Sequence, residues 1–248
     1  MNTVIEYFFT PQSPWSYFGH QRLQDIAAAA GATVELLPAD YGRIFPVSGG
    51  LPLPKRAPQR LAYRLVELRR FSEQLGIALN PQPTHFPVAG DDVARLIIAV
   101  QQHDGSAAAL AFTGAVMRAL WVQDRHIADP ATLAALLAEQ GLSAQRLADS
   151  KGAQAQQAYD ANTERAIALG VFGAPTYVIA GELFWGQDRL DFVARRLGVA
   201  RPRRQGASAH RIAALCGRRP CRSTRVGRQQ FQQVLLEHPQ ADVAALAV

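Results

Sequence analysis

Two serines lie three residues apart in the stretch FFTPQSPWSYFG, where an apolar run gives way to a helical pattern. Ser13 and Ser16 stand where redox proteins carry Cys-x-x-C after a strand, which argues against a disulfide oxidoreductase. The unpaired N–H groups at a helix N-terminus carry partial positive charge and stabilise an anionic sulfur. A serine there can donate a hydrogen bond, so the turn predicts a site for a thiolate from another molecule. A serine that only caps the helix is the alternative.

A second motif, GVFGAPTYVI, places Pro175 directly before a predicted strand. Proline has no N–H and cannot donate to a sheet ladder, so an edge-strand proline is one interpretation. In thioredoxin-like folds, however, a proline here is cis and faces the active-site turn. It leaves the backbone of Ala174 free to pair with an extended ligand. The usual external thiol is glutathione, which is therefore the expected cofactor.

The signals around these motifs follow a definite order. Residues 3–9 and 33–39 are rich in β-branched and apolar residues and predict strands, with a helix over 16–32 between them. This βαβ unit implies a parallel strand pair. Residues 175–186 predict a β-hairpin and residues 188–198 a closing helix.

A long helical region separates these two halves. Residues 43–58 are rich in proline and glycine and predict a loop, whereas residues 59–170 are helical nearly throughout. The fold class predicted is α/β, with a thioredoxin-like core (β-α-β then β-β-α) and a large all-helical insertion. The predicted division is a core at 1–42 and 170–199, an insertion at 43–169 and a mobile Arg-rich extension at 200–248.

Charge is distributed unevenly along the 248 residues. Residues 201–248 hold nine arginines and two acidic residues, whereas the body before them holds 17 basic and 18 acidic residues. The body therefore has no electrostatic basis for binding nucleic acid. The final 18 residues suit an amphipathic helix that docks on the body or on a second subunit, which would make a homodimer.

Cysteine is scarce, since Cys216 and Cys221 are the two in the chain. With His210 nearby they are too few ligands for a zinc site, and no metal is expected. A reducing cytoplasm fits this usage, and no apolar run has the length of a membrane helix. The helical positions of His20, together with His103 and His126, predict surface residues.

Four motifs, taken in order and spacing over residues 3–199, resemble a known family: SPWSY (13–17), GGLPLPKR (49–56), GVFGAPTYVI (170–179) and FWGQDRLDFVARRLG (184–198). The chain resembles the 2-hydroxychromene-2-carboxylate isomerases, which are DsbA-like and related to kappa-class glutathione transferases. The resemblance implies that Ser13 faces the glutathione sulfur and acts as the catalytic residue. It also implies that Ala174 and Pro175 clamp the ligand, and that Gln187 and Asp188 hold its γ-glutamyl end.

Further residues are expected to contact glutathione or the second substrate. Lys55 lies in the loop where the resemblance places a basic residue toward the glycine carboxylate. Trp15, His85 and Trp185 are the candidates for the pocket of the second substrate. One departure is Thr10, which stands where relatives often carry an acidic residue.

The resemblance implies a glutathione-dependent cis/trans isomerase of an aromatic catabolic intermediate. It would convert 2-hydroxychromene-2-carboxylate to trans-o-hydroxybenzylidenepyruvate by reversible thiolate addition. A kappa-like glutathione transferase or peroxidase would use the same sulfur. A non-enzymatic module that binds polyanions through the basic tail is a third possibility, and salt-dependent binding would distinguish it.

Overall fold

The computed structural model describes residues 3–199, so the predictions for residues 200–248 lie outside the described part. Four strands form one mixed sheet in the order β2-β1-β3-β4: β1 (Val4–Phe9), β2 (Thr33–Pro38), β3 (Thr176–Ile179) and β4 (Glu182–Trp185). Strand β1 pairs parallel with β2 and antiparallel with β3, which in turn pairs antiparallel with β4. The predicted thioredoxin-like core is confirmed.

Helices account for most of the remaining chain. They are α1 (Pro14–Ala30), α2 (Tyr41–Ser48), α3 (Pro58–Leu75), α4 (Asp91–Trp121), α5 (Pro130–Glu139), α6 (Arg146–Asp149), α7 (Ala153–Ala168) and α8 (Leu190–Arg196), with 3₁₀ turns at Leu53–Lys55 and Gln187–Arg189. Helices α2 to α7 lie between β2 and β3, so the helical insertion is confirmed. Across residues 3–199 no helix is both long enough and apolar enough to span a bilayer.

Strand β1 forms the centre of the core because its alternating side chains enter two different layers. Tyr7 and Phe9 are fully buried in the larger cluster, with residues of α1, α4 and α8. Phe8 points to the opposite face and packs with Ile44 of α2 and Val178 of β3. Burying each of these side chains contributes on the order of 1.5–3 kcal/mol. The end of β1, where the serine turn begins, is thus fixed from both sides.

Helix α2 (Tyr41–Ser48) extends into the segment 43–58 that the sequence predicts as a loop, so that prediction is wrong for residues 43–48. The Asp40 carboxylate accepts the Gly42 N–H at 2.7 Å and caps the helix. Ile44 is fully buried against the sheet. Capping and burial together outweigh the helix-breaking tendency of Pro46.

His20 is buried within α1, so the prediction of a surface position is wrong. Its Nε2 lies 2.9 Å from the carbonyl oxygen of Leu110, and its Nδ1 is buried without a hydrogen-bond partner in residues 3–199. Burial lowers the pKa of His20 to about 4, although the Leu110 carbonyl opposes the shift and Arg118 reinforces it. The sequence gives no sign of this, because Leu110 comes from the distant helix α4.

We predict that His20 makes the fold sensitive to mild acid. Its pKa is lower in the folded state than the usual 6.5, so its contribution is complete above about pH 6.5 and is lost as pH falls toward 4. Replacing His20 with Gln, which keeps an N–H donor, should reduce the pH 7 to pH 4 loss of unfolding free energy by roughly 3 kcal/mol. Urea unfolding at both pH values measures this, with His126→Gln at an exposed site as control. Equal acid sensitivity in the wild type and both variants would contradict it.

Candidate active site

A cavity of about 860 Å³ lies at the end of β1. Its lining includes the turn from Thr10 to Trp15, the segment from Phe172 to Ala174 before β3, the start of the helical insertion and the loop that contains Phe86. The first two segments are distant in sequence but meet because β1 and β3 are neighbouring strands, with Phe8 opposite Thr176. The sheet therefore brings together the two motifs that the sequence identified.

Ser13 is the N-cap of α1 and lines this cavity. Its Oγ accepts the backbone N–H of Ser16 at 3.2 Å, and its carbonyl oxygen accepts the N–H of Tyr17 at 3.0 Å. A hydroxyl has one proton to donate, and accepting a hydrogen bond leaves that proton free. The first turn of α1 carries no acidic residue. Ser13 can therefore cap the helix and still donate to an anion in the cavity.

Ser16 has a different position. Its side chain is completely buried, and it does not line the cavity. Its backbone N–H donates to the Ser13 Oγ, and any residue except proline supplies such an N–H. The geometry therefore distinguishes the two serines in favour of Ser13.

The peptide bond between Ala174 and Pro175 is cis, and Ala174 lines the cavity. The carbonyl of the preceding Gly173 accepts the Tyr41 hydroxyl at 3.2 Å and the Thr176 hydroxyl at 2.6 Å. Within residues 3–199 the N–H and C=O of Ala174 have no hydrogen-bond partner. These two backbone groups are thus available to an extended ligand, which could pair with them as an added strand pairs with a sheet edge.

Four aromatic side chains line the cavity: Trp15, Phe86, Phe172 and Trp185. The ring centroids of Phe172 and Trp185 lie 4.8 Å apart. Gly173 makes room for this pair, because a Cβ there would lie 2.3 Å from the Trp185 indole nitrogen. Such a lining suits a flat aromatic ligand.

Three arginines give the cavity its positive charge. Arg56, Arg60 and Arg64 line it, and the Nε of Arg56 donates to the Leu51 carbonyl at 2.9 Å. The guanidinium of Arg64 lies 5.0 Å from the centre of the Phe86 ring. Burial, and then the positive charge of Arg56, lowers the pKa of Arg64 to about 10, so it stays protonated at neutral pH. An anionic ligand is favoured here.

The other titratable groups of the lining are already engaged. Asp40 caps α2, and the Asp91 carboxylate accepts the Tyr159 hydroxyl at 2.9 Å. Burial raises the pKa of both Tyr41 and Tyr159, so these phenols stay neutral. No cysteine occurs before residue 216. Across residues 3–199, no three His, Cys, Asp or Glu side chains group as metal ligands. The cavity can bind and polarise a ligand, and the described residues that line it include no thiol.

The predicted site residues fall into two groups. Ser13, Trp15, Ala174 and Trp185 line the cavity, and Pro175 is buried directly behind Ala174.

The other predicted site residues do not line the cavity; they are Lys55, Gln187, Asp188 and His85. Lys55 is exposed, and its neighbour Arg56 faces the cavity instead. Gln187 is 3% exposed and packs against α1, while Asp188 is exposed and pairs with Arg189 at 2.6 Å. His85 stacks on His126 with ring centroids 4.7 Å apart, outside the cavity. Thr10 lines the cavity and donates its hydroxyl to the amide oxygen of Gln12.

Arg60 and Arg64 are site residues that the sequence analysis did not identify. A signal for them exists, because arginine recurs every fourth residue at 56, 60 and 64. Residues four apart share one face of a helix, so this spacing places Arg60 and Arg64 together on α3, whereas Arg56 precedes that helix. Phe86 carries no comparable signal, because the path of a loop rather than a periodic pattern brings it to the cavity.

The profile of the DSBA-like thioredoxin domain matches residues 4–198, which is most of the chain. The chain belongs to the DSBA-like thioredoxin domain family. This agrees with the sheet order, with the long helical insertion and with the position of the serine turn.

Two curated relatives and one solved structure define the group more narrowly. A 2-hydroxychromene-2-carboxylate isomerase of Pseudomonas putida is 31% identical over 199 residues, covering 79% of this chain and 94% of that protein. Another, from Sphingobium xenophagum, is 27% identical over 78% of this chain and 97% of that one. A solved 2-hydroxychromene-2-carboxylate isomerase superposes with a TM-score of 0.67 at 26% identity, covering 79% and 94% of the two chains. Within the DSBA-like family, the chain belongs with these isomerases, and it is an isomerase.

We predict that Ser13→Ala lowers kcat at least about 10²-fold, because it removes a donor to a sulfur anion. It should also lower the unfolding free energy by about 1 kcal/mol through loss of the cap. Ser13→Asp separates these effects, since a carboxylate keeps the cap and repels the thiolate. That variant should melt like the wild type and still lose activity. Stopped-flow turnover and thermal melts measure both.

The matched control is Ser16→Ala, which leaves the backbone N–H in place and should cost much less activity. Comparable losses of kcat in Ser13→Ala and Ser16→Ala would show that the assignment to Ser13 is mistaken.

Proposed function

We propose that this protein is a glutathione-dependent cis/trans isomerase, which converts 2-hydroxychromene-2-carboxylate to trans-o-hydroxybenzylidenepyruvate. The observation that carries the proposal is the Ser13 hydroxyl, held at the start of α1 with its proton free, in a cavity whose lining has no protein thiol. This arrangement suits a thiolate that enters with a ligand. The isomerase relatives support the choice of reaction.

The chemistry needs a nucleophile that adds and leaves again. In the open-chain form of the substrate, the thiolate bonds to the carbon β to the keto group. The electron pair of the carbon–carbon double bond shifts toward the keto group, which becomes an enolate with its negative charge on oxygen. The former double bond is now single and can rotate. The electron pair then returns, the double bond re-forms in the other geometry and the carbon–sulfur bond breaks. Thiolate is regenerated, so the step involves no net oxidation or reduction and no protein cysteine.

Ser13 and the helix would make this thiolate available. A free thiol with a pKa of about 8.5 is only a few per cent ionised at pH 7. Lowering its pKa by about two units makes most of it thiolate and corresponds to about 2.7 kcal/mol of preferential stabilisation. A charge-assisted hydrogen bond from the Ser13 hydroxyl and the partial positive charge at the start of α1 can together supply that amount.

Glutathione would lie across the end of the sheet. Its backbone would pair with the free N–H and C=O of Ala174, which places its sulfur at Ser13. We assign its γ-glutamyl end to Asp188 and Gln187 and its glycine carboxylate to the basic segment at Lys55. Asp188 already pairs with Arg189 on the surface, so its carboxylate would share or exchange this partner for the γ-glutamyl ammonium. A supply of reduced glutathione, together with the sparse cysteines, indicates the cytoplasm.

The direct test mixes the protein, glutathione and 2-hydroxychromene-2-carboxylate and follows the ultraviolet spectrum. Conversion to the trans product with glutathione unconsumed supports the proposal. Steady consumption of glutathione with formation of a stable adduct would instead indicate a kappa-like transferase.

We predict that turnover requires glutathione and that Asp188→Asn weakens glutathione binding about fivefold to fifty-fold, because an ion pair with the ammonium is lost. Calorimetry in the absence of substrate measures the affinity. Glu182→Gln is the matched control, since Glu182 pairs with Arg196 and does not line the cavity. Full turnover by rigorously thiol-free protein would end the proposal.

A further inference from the structure

Arg64 is a cation of the cavity lining that has no anion beside it. Its Nη2 atom is buried without a hydrogen-bond partner in residues 3–199. Its guanidinium contacts aromatic rings, 5.0 Å from the centre of Phe86 and 5.9 Å from that of Trp121. Among the residues described, no carboxylate lies within 4.0 Å of it.

Nine of the other 14 arginines in residues 3–199 form an ion pair with a carboxylate. Arg146 contacts Asp104 at 2.7 Å and Asp149 at 2.5 Å, and Arg165 contacts Glu6 through two nitrogens. Burying a charge without a partner is unfavourable, since water is removed and nothing replaces it. The cation–π contacts of Arg64 offset part of this cost but satisfy no N–H donor. In the unliganded protein, the half-buried Arg64 therefore carries a charge with no ionic partner among residues 3–199.

Two further cations add to the unpaired positive charge around Arg64. Arg60 lies one helical turn before Arg64 on α3, and Arg56 precedes it by another four residues. All three line the same cavity, where Asp40 and Asp91 already accept other hydrogen bonds. An anion bound here would relieve the mutual repulsion of the arginines. A planar guanidinium is suited to a carboxylate, which it binds through two parallel hydrogen bonds.

We propose that Arg64, with Arg60 beside it, binds the carboxylate of the aromatic substrate, so that it determines specificity for aromatic acids over neutral aromatic compounds. This inference rests on the proposed function. The aromatic part of the substrate then lies along Trp15 and Phe86, which line the cavity with Arg64. Ser13, which would hold the thiolate, lines the same cavity. The carboxylate that Arg64 contacts is bonded to the keto carbon, and none of its own bonds break in the reaction.

The test compares an acid with its neutral counterpart. The probes are trans-o-hydroxybenzylidenepyruvate and its methyl ester, titrated calorimetrically into wild-type and Arg64→Met protein without glutathione. The acid should bind the variant at least about tenfold more weakly, since a charge-assisted hydrogen bond is lost. The ester should bind both proteins within about twofold, because it offers no charge to Arg64. Arg64→Lys keeps the charge but loses the planar fork, so its affinity for the acid should lie between those of the wild type and Arg64→Met.

Three controls separate this role from a structural one. Arg69→Met, at an exposed position of the same helix that does not line the cavity, should bind the acid like the wild type. The Tm of unliganded Arg64→Met should equal or exceed that of the wild type, whereas a structural arginine would lower it on removal. In turnover, Arg64→Met should raise KM for the chromene carboxylate and lower kcat/KM at least about tenfold, since the lost cation holds the carboxylate and lies next to the keto oxygen that gains charge.

Equal weakening of acid and ester, a lowered Tm, or wild-type protein that binds both probes alike would overturn the inference. A loss confined to glutathione affinity would also overturn it, and would assign Arg64 to the thiol ligand. Wild-type protein that prefers the acid through Arg64 yet fails to isomerise the chromene would refute the proposed function and leave this inference standing.

Discussion

The hydrogen bond from the Ser16 N–H to the Ser13 Oγ determines which part of the Ser13 hydroxyl can reach a ligand. Because the oxygen caps α1 as an acceptor, its proton remains available to an acceptor outside the helix. No acidic residue in the first turn competes for the positive end of the helix. The same contact thus stabilises the fold and prepares a place for an anion, and the rest of the site is arranged around that place.

Strand β1 fixes the positions of the two segments that meet at the cavity. Its end carries the serine turn, its partner β3 carries the segment with Ala174, and its two faces are buried in separate hydrophobic layers. The helical insertion then supplies the aromatic and basic wall through α3 and the loop at Phe86. Under the proposed function, the core would hold the part of the site that acts on sulfur, and the insertion would hold the part that recognises the second ligand. Substrate preference could then change without disturbing the sulfur position.

The sequence predicts the core well because its signals are local. Apolar runs mark the strands, proline and glycine mark the turns, and Ser13 and Ala174 belong to short motifs at strand ends. It predicts less where tertiary contacts decide the outcome. Helix α2 forms despite Pro46 because Ile44 is buried, and His20 is buried because α4 packs over it. Lys55 looks equivalent to its neighbour in sequence, but the 3₁₀ turn presents Arg56 to the cavity instead.

The central claim is that the turn at Ser13 stabilises an external thiolate, and the ionisation of bound glutathione tests it most directly. Glutathione held at saturation on the protein can be titrated through its ultraviolet thiolate absorbance, with no second substrate present. The account predicts a pKa about two units below the free value of about 8.5, and a return toward the free value in Ser13→Ala. A bound thiol that titrates like free glutathione in the wild type would contradict the account.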